Sequence, residues 1–323
     1  GQLAQAVQAL LRLRCHNRAR ERRRTRHFLS DWAPLQELAD DLDGQLQRAG
    51  LLQSGVQPYG IWVLVQTLQT VRRFLLLGFE LELYHHCELQ MVFWYSECLC
   101  DLRLQLHAVC QKAAGVQATG VAAAAASGKK EKPGKKKNRG AEKGPQRPPV
   151  AGSPATRQEV LLCLATREVC SGLVTLLSLL QRLQFAPGPD LEFTHLSRRF
   201  EQRFGFLATL SRPAPLRVEQ FREQREALAR RSSDEIVQTA LTAFKAAKSA
   251  VDQALHAPDG GPSPDEKAEL TSLARVSVAN SVLVASALKA PPPAGSRVAT
   301  FSFATHPHFP LVKLEAAKPP AGG

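Results

Sequence analysis

Apolar residues recur every three or four positions through most of this chain. Leu3, Val7, Leu10 and Leu11 form one such set, and Phe28, Trp32, Leu35, Leu38, Leu42 and Leu46 another, so both stretches read as amphipathic helix. Pro34 interrupts the second. Ser30 or Asp31 can cap a new helix with Pro34 in its first turn, where the missing N–H costs little, so a break is expected near residue 31. Gly50 and residues 53–58 then end the element.

From Tyr59 to Leu77 the chain is strongly apolar, but Gln66, Gln69, Arg72 and Arg73 fall inside the run. The reading is a helix buried by other helices, with Gly78 near its C-terminal end, and not a membrane span. A further helix over His86 to Gln111 carries Met91, Phe93, Trp94, Tyr95, Leu99, Leu102 and Leu106, an aromatic cluster that suits a core better than a ligand box. Residues 113–153 lose all apolar period, passing from Ala-rich to Lys-rich sequence, and read as a disordered basic linker. Val160 to Leu183 is apolar on nearly every face, a central helix stopped by Pro187 and Pro189.

The segment from Asp190 to Pro215 mixes Arg198, Arg199, Phe200, Phe204 and Phe206 without a clear period and reads as irregular with short helical turns. Two S-x-x-E capping boxes follow, Ser232 with Glu235 and Ser263 with Glu266, each ahead of helical apolar spacing; together they predict an antiparallel helical hairpin. From Pro291 the chain becomes Pro-rich and extended. Phe301, Phe303, Phe309, Leu311, Val312 and Leu314 then give an apolar tail that should dock on the body or on a partner. The expected architecture is all-α: an elongated multi-helix scaffold with a helical region over 1–112, the basic linker over 113–153, a second helical region over 154–290 and an extended apolar C-terminal tail over 291–323.

Composition adds one thing to this picture. The 323 residues carry a net charge of +13, and the excess is local. Arg12 to Arg26 contains eight Arg against Glu21 alone, and Lys129 to Arg147 nine basic residues against two acids, leaving the rest of the chain close to neutral. Two concentrated patches suit contact with a polyanion, through Arg18, Arg20, Arg22, Arg23 and Arg24 and through Lys129, Lys130, Lys135, Lys136 and Lys137. A solvated charged face and a nuclear-import signal are the plainer readings of the same patches. Seven cysteines, an odd number mostly inside apolar runs, read as reduced core thiols, and Cys98-x-Cys100 lacks structural-zinc spacing. The chain begins with Gly1, shows no secretory signal and reads as a cytoplasmic protein or a fragment of one.

The search for catalytic motifs gives no G-x-S-x-G, H-E-x-x-H or G-x-x-x-x-G-K-[ST]. Gln117 to Ala122 fits a loose [RQ]-x-x-G-x-[GA] coenzyme A pattern, but no strand precedes it to align the amides on a pyrophosphate, so no cofactor is expected. Glu80 and Glu82 beside Tyr84 and His85 are the one acid cluster near acid–base partners, and a polar turn pinning two helices explains them more simply than catalysis.

Certain runs resemble a known family. Cys15-His16-Asn17-Arg18-Ala19-Arg20 with Arg22, Trp62-Val63-Leu64, Gly78-Phe79-Glu80-Leu81-Glu82-Leu83-Tyr84, and the ending His306, Phe309-Pro310 and Val312-Lys313-Leu314 are similar to the C-terminal half of the large auxiliary subunit of the NatC N-terminal acetyltransferase complex. The similarity extends in order from about residue 14 to 314. It implies a helical scaffold without catalytic residues of its own. Such a scaffold holds a GNAT-fold catalytic subunit that acetylates nascent chains beginning Met plus a bulky hydrophobic residue, with a small Sm-like subunit and the ribosome as further partners. By position, Gly78, Phe79, Glu80, Glu82 and Tyr84, with Phe309, Pro310 and Leu314 in the tail, are the expected partner-binding residues. The competing readings are a free-standing basic nucleic-acid-binding protein and, with least support, an enzyme using Glu80, Glu82 and His85.

Overall fold

In the computed structural model, residues 5, 8–10, 12–53, 55, 57–126, 157–187, 193–210, 212–256, 262–288, 292, 293 and 296–317 are described. The helices are α1 (Arg18–Ser30), α2 (Ala33–Arg48), α3 (Pro58–Glu80), α4 (Leu89–Ala126), α5 (Arg157–Arg182), α6 (Phe193–Phe204), α7 (Val218–Arg230), α8 (Ser233–Leu255) and α9 (Pro264–Leu283). Two strands follow, β1 (Arg297–Ser302) and β2 (Leu311–Ala316).

The break between α1 and α2 falls where Pro34 places it, but not through the expected cap. Trp32 is the N-cap of α2 and makes no side-chain capping bond; Ser30 Oγ instead donates back to the Arg26 carbonyl at 3.1 Å. Burial sets the boundary: the Trp32 indole is 2% exposed and packs on Phe28 with ring centroids 4.6 Å apart. The two capping boxes form as the sequence predicts. Ser232 accepts from the Glu235 N–H and Ser263 from the Glu266 N–H, while each glutamate reaches back to the serine N–H.

The core sits around α5, which packs between α4 and α8. Its buried positions run from Leu161 to Leu180 on almost every face, and one contiguous apolar cluster joins elements from both sides of residues 127–156. This helix is long and apolar enough to cross a membrane by composition, yet 67% of that window is buried among its neighbours, which is the pattern of a core helix. At Gly172 on α5 a Cβ would lie 2.7 Å from the Phe244 ring of α8.

Three expectations change. Residues 193–204 form a 12-residue helix, followed by a 3₁₀ turn over Gly205–Thr209. Leu196, Phe200 and Phe204 recur every four residues and are each at most 6% exposed, a face hidden in the sequence by the intervening Arg residues. The helix begun at Leu89 runs on to Ala126 and takes in the Ala-rich stretch assigned to the linker; the Lys-rich remainder lies outside the described residues. The tail folds into an antiparallel hairpin in register from Arg297↔Ala316 to Ser302↔Leu311. It docks on its own helices: Ala299 N–H donates to the Phe185 carbonyl at 2.7 Å, and Asn280 on α9 donates to the Pro310 carbonyl and accepts from the Val312 N–H, both at 3.0 Å.

Candidate functional site

The run from Gly78 to Tyr84 closes α3. Leu83 N–H donates to the Gly78 carbonyl at 2.9 Å and Glu82 N–H to the Phe79 carbonyl at 3.0 Å. With Glu82 at φ 52°, this is a Schellman cap whose left-handed position is held by a glutamate instead of the usual glycine. The cap folds Tyr84 back on α3, where its ring occupies the space a Cβ on Gly78 would need and its hydroxyl donates to the Leu75 carbonyl at 3.0 Å. Burial pushes the Tyr84 phenol up to about 12, so it acts as a neutral donor. Phe79 stacks on Phe93 at 5.3 Å and meets Tyr84 edge-on at 4.8 Å.

Glu80 is the meeting point of three distant segments. Arg18 Nε lies 2.7 Å from Oε2, Arg73 Nη1 2.8 Å from Oε1, and His308 Nε2 3.1 Å from Oε1. Arg73 also donates through Nε to Glu21 at 2.8 Å, and Arg18 reaches Glu21 at 3.1 Å. Glu21 is 1% exposed. Burial works to raise both carboxyl groups, but the hydrogen bonds and charges of their partners prevail and hold both below the usual carboxylate value. His308 shows the opposite outcome: desolvation outweighs Glu80, so its pKa is lowered and it donates to Glu80 as a neutral imidazole. Three segments that carried the resemblance, at the start, middle and end of the chain, thus meet at one carboxylate, the last of them through His308, a neighbour of His306 and Phe309.

A second pairing locks the next turn. Arg203 on α6 donates to both oxygens of Glu88 and to the Leu83 carbonyl. Arg199 donates to Cys87 Sγ at 3.0 Å, yet desolvation still raises that thiol, which is therefore not an activated nucleophile.

The expected partner-binding residues divide accordingly. Gly78 and Phe79 are buried, and Glu80 is committed to its three donors, Arg18, Arg73 and His308. Phe309 and Pro310 are buried against the chain's own helices, Phe309 near Phe93 at 6.1 Å, so they anchor the hairpin and do not present a face. Glu82 and Leu83 are exposed, and Tyr84 and Leu314 half-buried. The turn and the tail, chosen separately along the chain, adjoin: His86 packs on Phe301 at 5.2 Å and Phe79 on Phe303 at 5.8 Å.

The polyanion candidates divide too. Arg18 is spent on Glu21 and Glu80, and Arg22 lies 3.9 Å over the Phe74 ring. Arg20, Arg23 and Arg24 are exposed and form no ion pair among the described residues. Lys129, Lys130, Lys135, Lys136 and Lys137 lie outside the described residues. Glu82 and His85, the remaining acid–base candidates, are exposed, with His85 Nδ1 3.2 Å from Cys87 Sγ. Sequence reasoning missed Glu21, Arg73, Glu88, Arg203 and His308. Glu21 alone carried a signal, as the single acid in a run of eight Arg.

Comparison with known proteins bears on this arrangement. A family model described as NAA35-like, TPR repeats, matches residues 1–312. The human protein named N-alpha-acetyltransferase 35, NatC auxiliary subunit, is 27% identical over 322 residues, 95% of this chain and 40% of its own length. The Drosophila melanogaster homolog is 25% identical over 93% of this chain. The chain therefore spans about two fifths of the length of the curated relatives it matches. Among solved structures, a chain of the apo NatC complex superposes with a TM-score of 0.69 at 15% identity, covering 93% of this chain and 45% of that one. A chain of the NatC complex bound to Gag peptide and CoA gives the same score at 16% identity. The all-α fold is shared with both.

Proposed function

The chain belongs to the NAA35-like family of TPR repeats, and on that premise we propose that it is a non-catalytic scaffold subunit of a NatC-type N-terminal acetyltransferase. It holds a GNAT-fold catalytic subunit and helps position it at the ribosome, in the cytoplasm, for acetylation of nascent chains beginning Met plus a bulky hydrophobic residue; a small Sm-like subunit completes the assembly. The observation that carries this reading is the ordered similarity to NatC auxiliary subunits over 95% of the chain.

The convergence on Glu80 supports a specific surface. Buried Gly78, Phe79, Phe309 and Pro310 and the paired Glu80 set the shape of the junction, while Glu82, Leu83, Tyr84 and Leu314 form the part a partner can touch. The test is co-purification of the full chain with the catalytic subunit, followed by acetyl transfer to a Met-Leu peptide with and without the chain. Stable association with enhanced transfer is the expected result. Leu83→Asp weakens association about tenfold if Leu83 lies at the interface, since one desolvated apolar contact is worth about 1.4 kcal/mol. Unchanged co-purification removes that turn from the interface, and no association with the wild-type chain refutes the scaffold reading.

A second contact is favoured by the exposed ridge of Arg20, Arg23 and Arg24, which extends the reading to ribosomal RNA. Replacing all three with Gln lowers the salt slope of ribosome binding by about 2. An unchanged slope assigns the ridge to solvent.

A further inference from the structure

Helices α4 and α5 meet across a concentration of thiols. Among the described residues, Cys98 and Cys100 on α4 and Cys163 and Cys170 on α5 are unbridged and lie close enough to influence one another's ionisation. Two of them touch. Cys163 Sγ donates to the Cys100 carbonyl at 3.6 Å, and the Cys100 thiol in turn hydrogen-bonds the Cys163 sulfur. Each of the two residues is 2% exposed, so the pair is sealed from bulk solvent.

A cysteine that only fills space between helices behaves as a small hydrophobe. This pair is set apart by its geometry and its polarity. A disulfide spans roughly 5.5 Å between Cα atoms, and a thiol already in contact with the backbone of the facing residue has no gap to close. The four thiols also differ in acidity. Burial pushes Cys98 up to about 12 and raises Cys170, while Cys100 is raised by its hydrogen bond to Cys163 and by burial. Cys163 goes the other way: the hydrogen bond from Cys100 lowers it, and the charges of Arg103 and Arg72 add to that against desolvation. One member of the pair thus gives up its proton more readily, and the other holds its own.

We propose that Cys100 and Cys163 form a dithiol site that hydrogen peroxide oxidises reversibly to a disulfide between α4 and α5. The Cys163 sulfur attacks the peroxide, the O–O bond breaks, and the departing hydroxide takes up the thiol proton as water, leaving a sulfenic acid. The Cys100 sulfur then attacks that sulfur; the S–O bond breaks, and the hydroxyl leaves as water with the Cys100 proton. Two thiols are oxidised, and one peroxide is reduced to two waters. A dithiol reductant reverses the step. The bond closes a loop over residues 101–162, which contains Lys129 to Lys137, so oxidation ties together the helices on either side of the basic stretch. The site lies in the chain's own core and does not depend on the scaffold reading.

The test is peptide mapping of the full folded chain after treatment with hydrogen peroxide, with the remaining thiols blocked by N-ethylmaleimide before trypsin digestion. The expected product joins peptide 158–167, which holds Cys163, to peptide 74–103, which holds Cys100. It is two hydrogens lighter than the sum of the two peptides and is split by dithiothreitol. Cys100→Ser and Cys163→Ser each abolish it, whereas Cys98→Ser and Cys170→Ser retain it. The oxidised chain also gains roughly 5 to 10 °C in Tm, lost on reduction, because the cross-link constrains the unfolded chain. The wild-type map alone decides whether the bond forms, whatever the folding of any variant. Four results overturn the proposal: no joined peptide from the folded chain, a joined peptide that appears only when peroxide is added in urea, a bond that survives Cys100→Ser, or peptide 168–182, which holds Cys170, in place of 158–167.

Discussion

Arg203 holds Glu88 with both edges of its guanidinium, Nε to Oε1 and Nη2 to Oε2, each at 2.9 Å. Glu88 is 3% exposed and also accepts the His85 N–H at 2.8 Å, so three donors converge on one buried carboxylate. Breaking such a pair from one side leaves a buried charge unmatched. Arg203→Leu is expected to cost about 3 kcal/mol or more in denaturant unfolding, and Arg203→Lys, which cannot make the fork, a smaller part of it. Equal stability of the Lys variant and wild type would show the two-point geometry to be dispensable.

Glu82 occupies a left-handed backbone position at φ 52° with an exposed side chain. Glycine carries no steric penalty there, so Glu82→Gly stabilises the chain by about 1 kcal/mol, seen as a raised denaturant midpoint at unchanged slope. A lower midpoint would mean that the Glu82 side chain makes a compensating contact.

At Gly172 the Phe244 ring leaves no space for a methyl group. Gly172→Ala forces α5 and α8 apart or turns the ring, at about 1 to 3 kcal/mol. Adding Phe244→Leu to that variant recovers part of the loss; strict additivity of the two costs would show that the residues do not compete for the same volume.

Acid sensitivity has a calculable sign. His306 in the folded chain resists protonation until about pH 3, whereas in the unfolded chain it takes a proton near 6.5. Stability therefore falls as pH drops below 6.5, by at most about 1.4 kcal/mol per unit from this group. The lowered His308 adds loss of the same sign. Glu21 and Glu80, whose pKa values are lowered from 4.5, contribute only below that value. His306→Gln is expected to flatten the stability profile between pH 6.5 and 4.5, measured by urea unfolding across that range; an unaltered slope would place the sensitivity elsewhere.

How much was legible in the sequence varied with the range of the interaction. The serine boxes opening α8 and α9 involve partners three residues apart, and they form as written. Helix ends were readable only where glycine marked them. Gly50, at φ 72°, ends α2 with Leu51 N–H on the Leu46 carbonyl. The same geometry closes α3 at Glu82 and α5 at Gln184, where a non-glycine residue adopts positive φ while a ring just beyond it packs back on the helix or core, Tyr84 after α3 and Phe185 after α5, a cause that local sequence does not display. Helix α6 was hidden because Arg198, Arg199 and Arg203 break up the apolar face in sequence. Cys87 and Glu88, which take up Arg199 and Arg203, lie more than 100 residues earlier.

The site followed the same rule. Its turn was visible as a motif, and so was the tail. That Arg18, Arg73 and His308 would meet on Glu80 was not, because the pairing joins residues up to 228 positions apart through the fold. Nor did the Arg-rich run reveal which of its members face inward: Glu21 and Thr25 are buried and Arg20, Arg23 and Arg24 exposed, a distinction set by α3 packing on one side of α1.

The docking of the hairpin on Asn280 bears on the order in which the molecule is completed during its synthesis. Asn280 is wholly buried, and its side-chain amide is matched at both ends by backbone of the hairpin, Pro310 and Val312. While translation has reached only the end of α9, that amide has no such partners, Phe93 lacks its ring contact with Phe309, and Glu80 lacks its third donor. The nascent helical body is thus an unfinished surface, and the junction a partner would grip exists only after residues 297–316 have emerged and folded back. Any partner that requires the assembled junction therefore meets it only once the hairpin has docked, so the last elements of the described fold control when the first can be recognised.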